Sequence, residues 1–137
     1  MDFSSCNGTL IAHRYRRGAG PVVVFAHALG CDQTICDDVI AALDPAQAVL
    51  SYDLRGHGAS GREDDPDVTL SLKTLGEDLV ALCETLGVRD IILCGISVGG
   101  MVAQQVAATR PDLVRGVVLC ATAARIGAAD RWQARIE

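Results

Sequence analysis

Short apolar runs alternate with amphipathic stretches along most of this chain. Four runs have the length of buried strands and are bounded by turn residues: 21–26, 48–52, 90–94 and 113–121. Between them, apolar residues recur at the spacing of a helix over residues 32–43, 71–86 and 98–110. This alternation predicts βαβ units, and therefore the α/β fold class with a mostly parallel sheet and flanking helices.

Local signals set the ends of several of these elements. Asn7-Gly8 predicts a tight hairpin between strands over residues 2–6 and 9–15, which brings the expected number of strands to six. Gly87 stands where a helix over 71–86 needs a left-handed C-terminal residue. Asp32 is a candidate N-cap for the helix over 32–43, whose expected apolar face is Ile35, Cys36, Val39, Ile40 and Leu43.

Composition narrows the possible partners and the compartment. The chain has 137 residues, a net charge of −5 and 50% hydrophobic residues. The acidic balance argues against nucleic acid as a partner. No apolar run has the length of a membrane span, and the N-terminus lacks a basic-then-apolar signal pattern, so we expect a cytoplasmic protein. The high apolar content fits either a sheet buried on both faces or an apolar face left uncovered because part of the fold is missing.

The six cysteines do not suggest a metal or redox site. None forms a C-x-x-C pair, and Cys94 and Cys120 fall in apolar strands. We therefore expect free, buried thiols in a reducing compartment and no bound metal.

The richest chemical signal is Gly95-Ile96-Ser97-Val98-Gly99, which fits G-x-S-x-G. This pattern forms a sharp strand-to-helix turn that exposes a serine hydroxyl above a sheet. Here a predicted strand precedes it and a predicted helix follows it, so the context matches on both sides. Ser97 is the candidate nucleophile.

Two further motifs follow the ends of predicted strands. Residues 27–30 read H-A-L-G, and residues 53–60 read D-L-R-G-H-G-A-S. Ligands of open α/β sheets bind at that edge. The three segments together resemble the α/β-hydrolase superfamily. Residues 51–60, 94–102 and 120–127, with Trp132 and the Arg135-Ile136 pair, are similar to the N-terminal half of the 3-oxoadipate enol-lactonases of aromatic catabolism.

That resemblance implies a reaction and the roles of several residues. Enol-lactonases hydrolyse a small cyclic enol ester without a metal or organic cofactor. Ser97 would attack the lactone carbonyl to give an acyl-enzyme. The backbone N–H groups of Leu29 and Val98 would hold the oxyanion. His27 and Trp132 are candidate substrate contacts, and His27 is also considered as a base.

The other polar residues of the motifs have plainer roles. We expect Asp53 and Arg55 to tie down the glycine-rich turn, and His57 to be a loop residue. His13 falls in the hairpin, away from the site.

The resemblance also implies what lies outside this chain. The family's sheet has eight strands, and its triad acid and histidine follow the seventh and eighth. Residues 1–137 are thus expected to form a partial core domain that ends at the start of the cap. The sixth strand would then be an open edge, so we expect the chain to dimerise, to aggregate or to bind a complementing C-terminal half.

The alternatives to an enol-lactonase are another cofactor-free hydrolase of the fold (an esterase, a C–C bond hydrolase or a perhydrolase) and a non-catalytic fragment or half of a split enzyme.

Overall fold

The computed structural model describes residues 1–62 and 70–125. The candidate residue Trp132 lies outside the described residues. The strands are β1 (Asp2–Cys6), β2 (Thr9–Arg16), β3 (Ala19–Ala26), β4 (Gln47–Tyr52), β5 (Ile91–Ile96) and β6 (Val114–Cys120). The helices are α1 (Asp37–Ala42), which follows a 3₁₀ turn over Gln33–Cys36, α2 (Leu72–Leu86) and α3 (Val98–Thr109).

The strands form one sheet in the order β1-β2-β4-β3-β5-β6. The pairs β1–β2 and β2–β4 are antiparallel, whereas β3–β4, β3–β5 and β5–β6 are parallel. The predicted α/β class and mostly parallel sheet are therefore confirmed. The hairpin is formed by Asn7 and Gly8, whose φ values of 45° and 80° give the left-handed backbone that such a turn requires.

The two faces of the sheet are covered unequally. Helices α2 and α3 bury the main core on one face, where Leu50, Leu79 and Leu93 have no exposed surface. A smaller cluster of Phe25, Cys36 and Val49 lies apart from that core, with Ile40 and Leu43 packed against it. Within the described residues, no helix has the length and apolar content that a membrane crossing requires.

The predicted helix over 32–43 is only partly correct. The chain forms a 3₁₀ turn capped by the Asp32 side chain, then the short helix α1. Ile35 and Val39 are 46% and 55% exposed, although they were expected on the apolar face. A 3₁₀ turn has three residues per turn rather than 3.6, so α1 starts rotated from the direction that one continuous helix would have, and the predicted stripe does not face the sheet as a whole.

The long helix follows its sequence signals. The Ser71 side chain accepts the N–H of Thr74 at the start of α2, and Gly87 ends the helix in the left-handed conformation with φ 69°. The thiols are free, as expected, but Cys120 is exposed and Cys31 and Cys94 are only partly buried. The expectation of buried thiols is therefore wrong for these three, and Cys120 is exposed because β6 lies at the edge of the sheet.

Candidate active site

Ser97 occupies a strained turn between β5 and α3. Its backbone has φ 53° and ψ −115°, one of three positive φ values among non-glycine residues of the described chain. Such backbone conformations are costly for a residue with a side chain and persist where the surrounding structure holds them in place. The strain at Ser97 is therefore maintained by its neighbours, in agreement with the predicted G-x-S-x-G turn.

The glycines of the motif are required by close packing. A Cβ at Gly95 would lie 2.5 Å from the Cα of Gly100. A Cβ at Gly99 would lie 2.6 Å from the carbonyl oxygen of His27, which is closer than real Cβ atoms approach a backbone. The glycines thus let β5, α3 and the segment after β3 meet at one point.

Backbone hydrogen bonds hold Ser97 and leave its hydroxyl available. The Ser97 N–H donates to the Cys120 carbonyl at 2.9 Å, and the Thr122 hydroxyl donates to the Ser97 carbonyl at 2.7 Å. Both partners belong to β6 or follow it directly. Within the described part of the chain, the half-buried Ser97 has no hydrogen bond through its Oγ. The hydroxyl is therefore presented at the edge of the sheet without a competing partner.

The loop after β3 brings a second backbone donor to the same edge. Residues Ala26 and Gly95 are register partners, so β3 and β5 end side by side. A turn closed by the Cys31 N–H on the Ala28 carbonyl, at 3.1 Å, lifts Leu29 out of the core, and Leu29 is 56% exposed. Within residues 1–62 and 70–125, neither the Leu29 N–H nor the Val98 N–H donates to a protein acceptor. Val98 also stands at the first turn of α3, where unpaired N–H groups and the helix dipole favour negative charge.

His27 supports this loop from inside the protein. Its ring is fully buried, and its Nε2 accepts the Leu54 N–H at 2.9 Å. The proton must then reside on Nδ1, which donates to the Ala28 carbonyl at 2.8 Å. Burial lowers the pKa of His27, which keeps the ring neutral. Both nitrogens are engaged, so this geometry offers Ser97 no lone pair and argues against His27 as the base or as a polar contact for a substrate.

The aspartate of the second motif clamps two loops together. Asp53 is 2% exposed, and its carboxylate accepts the Gln33 N–H at 2.7 Å and the Ala59 N–H at 2.8 Å. A Cβ at Gly58 would meet that carboxylate at 2.5 Å from its carbon. Asp53 is thus a structural tie between the loop after β3 and the glycine-rich turn, in the role that the sequence predicts.

Arg55 is tied down by a partner that the sequence analysis missed. Its guanidinium binds both carboxylate oxygens of Asp78, at 2.8 and 2.7 Å, and also donates to the Asn7 carbonyl at 3.0 Å. Arg55 and Asp78 are 3% and 2% exposed. The signal was available, because Asp78 interrupts the apolar stripe of α2 between Leu75 and Leu79, where a charge requires a buried partner.

The remaining histidines lie in different surroundings. His57 is half-buried, its Nδ1 lies 3.1 Å from the Arg55 carbonyl oxygen, and its ring centroid is 5.2 Å from that of His27. His13 is buried in the hairpin, where its Nε2 lies 2.9 Å from the Ser4 hydroxyl.

Among the described residues, no group of three or more His, Cys, Asp or Glu is placed to hold a metal ion. A cavity of about 490 Å³ lies between α2 and α3 and does not include Ser97.

Known proteins are similar to this chain in sequence and in fold. The chain is 36% identical over 117 residues to 3-oxoadipate enol-lactonase 2 of Acinetobacter baylyi, a match that covers 85% of this chain and 43% of that protein. The crystal structure of the enol-lactonase from Burkholderia xenovorans LB400 superposes with a TM-score of 0.90 at 34% identity, over 98% of this chain and 52% of that one. A thermophilic esterase from Thermogutta terrifontis superposes with a TM-score of 0.83 at 29% identity, over 97% of this chain and 48% of that one.

These matches also agree in the length of the segment that they cover. The chain spans about half the length of the relatives that it matches. The α/β hydrolase fold family matches residues 21–135, a segment that contains the loop after β3, the glycine-rich turn and Ser97. This chain therefore belongs to the α/β hydrolase fold family.

Proposed function

We propose that this chain carries the nucleophile and the oxyanion donors of a carboxylic-ester hydrolase of the enol-lactonase type. The observation that carries the proposal is Ser97, held in a strained turn at the N-terminus of α3, where its hydroxyl has no hydrogen bond with any described residue. The similarity to two enol-lactonases, at 36% and 34% identity, supports the lactone as the substrate class.

The chemistry follows from the positions of the donors. Ser97 Oγ attacks the lactone carbonyl carbon and loses its proton to a base, while the carbonyl electron pair moves to the oxygen. The N–H groups of Leu29 and Val98 donate to that oxyanion, and one such donor lowers the activation free energy by about 3 kcal/mol. When the oxyanion collapses, the ring C–O bond breaks. The leaving enol oxygen takes a proton and the enol becomes a ketone. Water then hydrolyses the acyl-serine and releases the open diacid.

The base and its orienting acid are proposed to come from polypeptide beyond the described residues. An activated serine needs a histidine within hydrogen-bond reach, and both nitrogens of His27 are bound elsewhere. His27 then acts as a positioning residue for the loop that carries Leu29. Trp132 stays a proposed contact for the substrate.

A second candidate is a cofactor-free esterase of the same fold. The likeness to the Thermogutta terrifontis esterase, with a TM-score of 0.83, favours it. An enol-lactonase prefers the cyclic enol ester, whereas an esterase prefers open-chain esters. A third possibility, that the chain is a non-catalytic fragment, predicts activity on neither substrate even when the fold is completed.

A fusion protein separates these alternatives. The segment of the Burkholderia xenovorans enol-lactonase that lies beyond its match to this chain is joined after Glu137, and folding is checked by circular dichroism. We expect the fusion to hydrolyse 3-oxoadipate enol-lactone, and Ser97→Ala to lower kcat on the order of 10⁶-fold. Ser5→Ala, at an exposed serine of β1, is the matched control and should leave kcat unchanged.

The outcomes that contradict the proposal are distinct. A folded fusion in which Ser97→Ala keeps its activity would exclude Ser97 as the nucleophile. Turnover of a simple activated ester without turnover of the lactone would favour the esterase. The isolated chain is assayed beside its Ser97→Ala variant, and we expect turnover close to background, because among the described residues no histidine nitrogen makes a hydrogen bond with the Ser97 hydroxyl.

A further inference from the structure

The turn between β1 and β2 carries Asn7, the only asparagine of the sequence, directly before Gly8. Both residues are exposed, and they form the two-residue connection between the register partners Cys6 and Thr9. Within the described residues, the Gly8 N–H makes no hydrogen bond, and no atom lies within 4 Å of the position that a Cβ of Gly8 would take. The backbone nitrogen that follows Asn7 is therefore neither bonded nor shielded.

The Asn7 side chain reaches a buried ion pair. Its Nδ2 donates to Asp78 Oδ1 at 3.2 Å, and the same oxygen accepts from the Arg55 guanidinium at 2.7 Å. Arg55 also donates to the Asn7 carbonyl at 3.0 Å. The side chains of Arg55 and Asp78 are almost fully buried, whereas Asn7 is exposed. Asn7 is thus the solvent-exposed member of a polar network in which a lost partner is costly for the buried members.

We propose that Asn7 is a site of spontaneous deamidation, with water as the only co-reactant. The Gly8 nitrogen attacks Asn7 Cγ and forms an N–Cγ bond. The Cγ–Nδ2 bond breaks, and Nδ2 leaves as ammonia with the proton of the Gly8 nitrogen. Water then opens the resulting five-membered cyclic imide at one of its two carbonyls. Cleavage of the new N–Cγ bond gives aspartate at residue 7, and cleavage of the original peptide bond gives isoaspartate.

The position of the turn makes the reaction possible without global unfolding. Asn7 is held by Asp78 in the closed turn, so the attack requires the turn to open. Strand β1 has five residues, lies at the edge of the sheet and pairs only with β2 among the described strands. Opening of such a peripheral element costs less free energy than unfolding of the core. Glycine also has no side chain that would obstruct the approach of its nitrogen.

Either product would disturb the network. In the aspartate form, a carboxylate oxygen would replace the donor that now contacts Asp78 Oδ1, and two like charges would compete for one guanidinium. The isoaspartate form would add one atom to the main chain of a turn whose length sets the register of β1 against β2. Deamidation should therefore weaken the contacts of the hairpin with α2 and with the glycine-rich turn that carries Arg55.

The reaction is followed by mass spectrometry of the whole chain, held at mildly alkaline pH either folded or unfolded in urea. Proteolytic peptides then locate the change from amide to acid. We expect it at residue 7, and we expect the folded chain to react faster than the rate in urea multiplied by the equilibrium fraction of unfolded chain. Asn7→Gly is the matched control, because glycine accepts the φ of 45° and has no amide to lose.

The effect of the product is measured on a variant that reproduces it. Asn7→Asp should lower the urea midpoint by about 1 M at neutral pH, and by more than Asn7→Gly does, since the glycine variant removes a hydrogen bond but adds no charge. Ser5→Asp, which adds the same charge at an exposed residue of β1, should leave the midpoint close to that of the unsubstituted chain.

Three results would overturn the proposal. The first is a folded chain that reacts no faster than its unfolded fraction allows, and the second is a change that maps to another residue. The third is an Asn7→Asp variant that is no less stable than Asn7→Gly. These assays follow mass and unfolding rather than hydrolysis, so their outcomes are independent of the proposed function.

Discussion

Replacing Arg55 with methionine is expected to destabilise the fold strongly, because it removes one partner of a buried ion pair. Arg55 donates to both oxygens of Asp78, at 2.7 and 2.8 Å, and the two residues are 3% and 2% exposed. Methionine restores much of the volume but donates no hydrogen bond. The Asp78 carboxylate would keep the Asn7 amide, at 3.2 Å. Breaking such a pair costs about 3–5 kcal/mol, against about 5–15 kcal/mol for the stability of a whole domain.

The assay is urea unfolding followed by circular dichroism. With a slope of about 2 kcal/mol per molar urea, a loss of about 4 kcal/mol lowers the midpoint by about 2 M. The matched control is Arg115→Met, which breaks an ion pair whose side chains are 61% and 47% exposed. Solvent screens such a pair, so we expect a loss below about 1 kcal/mol.

A double variant tests the physical reason. Arg55→Met combined with Asp78→Leu leaves no buried carboxylate, so it should recover much of the stability that Arg55→Met loses. The reasoning is refuted if Arg55→Met lowers the midpoint no more than Arg115→Met does. It is also refuted if the double variant loses the sum of the two single losses, because the two residues would then act independently.

Three further variants probe the site and its supports. Gly99→Ala places a methyl group 2.6 Å from the His27 carbonyl oxygen and should abolish lactone hydrolysis by the fusion protein. At Gly30 there is space for a methyl group, but φ is 75°, so Gly30→Ala should lower the free energy of unfolding in urea by about 1–2 kcal/mol. Asp53→Asn leaves either the buried Gln33 N–H or the partly buried Ala59 N–H facing an amide NH₂, so the free energy of unfolding should fall by about 2 kcal/mol. Burial lowers the pKa of His27 in the folded protein, so the unfolded chain binds a proton at His27 more readily. The urea midpoint should therefore be constant above about pH 6.5, the ordinary pKa of histidine, and should decrease as the pH falls below it. The variant His27→Gln should show a smaller decrease.

Much of the fold could be predicted because its signals are local. The Asn7-Gly8 turn, the Gly87 helix end and the apolar runs each depend on a few neighbouring residues, and the six strands lie close to where those signals place them. The helix over 32–43 was harder, since the apolar pattern over so few residues does not distinguish a 3₁₀ turn from an α-helix. Whether Ile35 and Val39 face the sheet depends on which form the chain adopts.

In the candidate site, too, features that depend on neighbouring residues could be predicted and those that depend on distant residues could not. The position of Ser97 was evident from its motif, because glycines are required where backbones must approach within the space of a Cβ. The role of Asp53 as a tie could also be predicted, but its partner Gln33 could not. Asp78 was missed as the partner of Arg55, which lies 23 residues away in the chain. The state of the His27 ring was likewise not predictable, since it depends on an N–H from a loop 27 residues away.

The sequence by itself determined the order of strands and helices, the turn at Ser97 and the chemistry that such a turn serves. Those features rest on backbone conformations that glycine, asparagine and serine adopt locally. Only the tertiary structure decided that both His27 nitrogens are occupied, that Arg55 is buried against Asp78, and that Cys120 is exposed at the end of the sheet. The physical reason is that burial and hydrogen bonding of these groups depend on which distant segments become neighbours, and that is set by the order of the strands in the sheet.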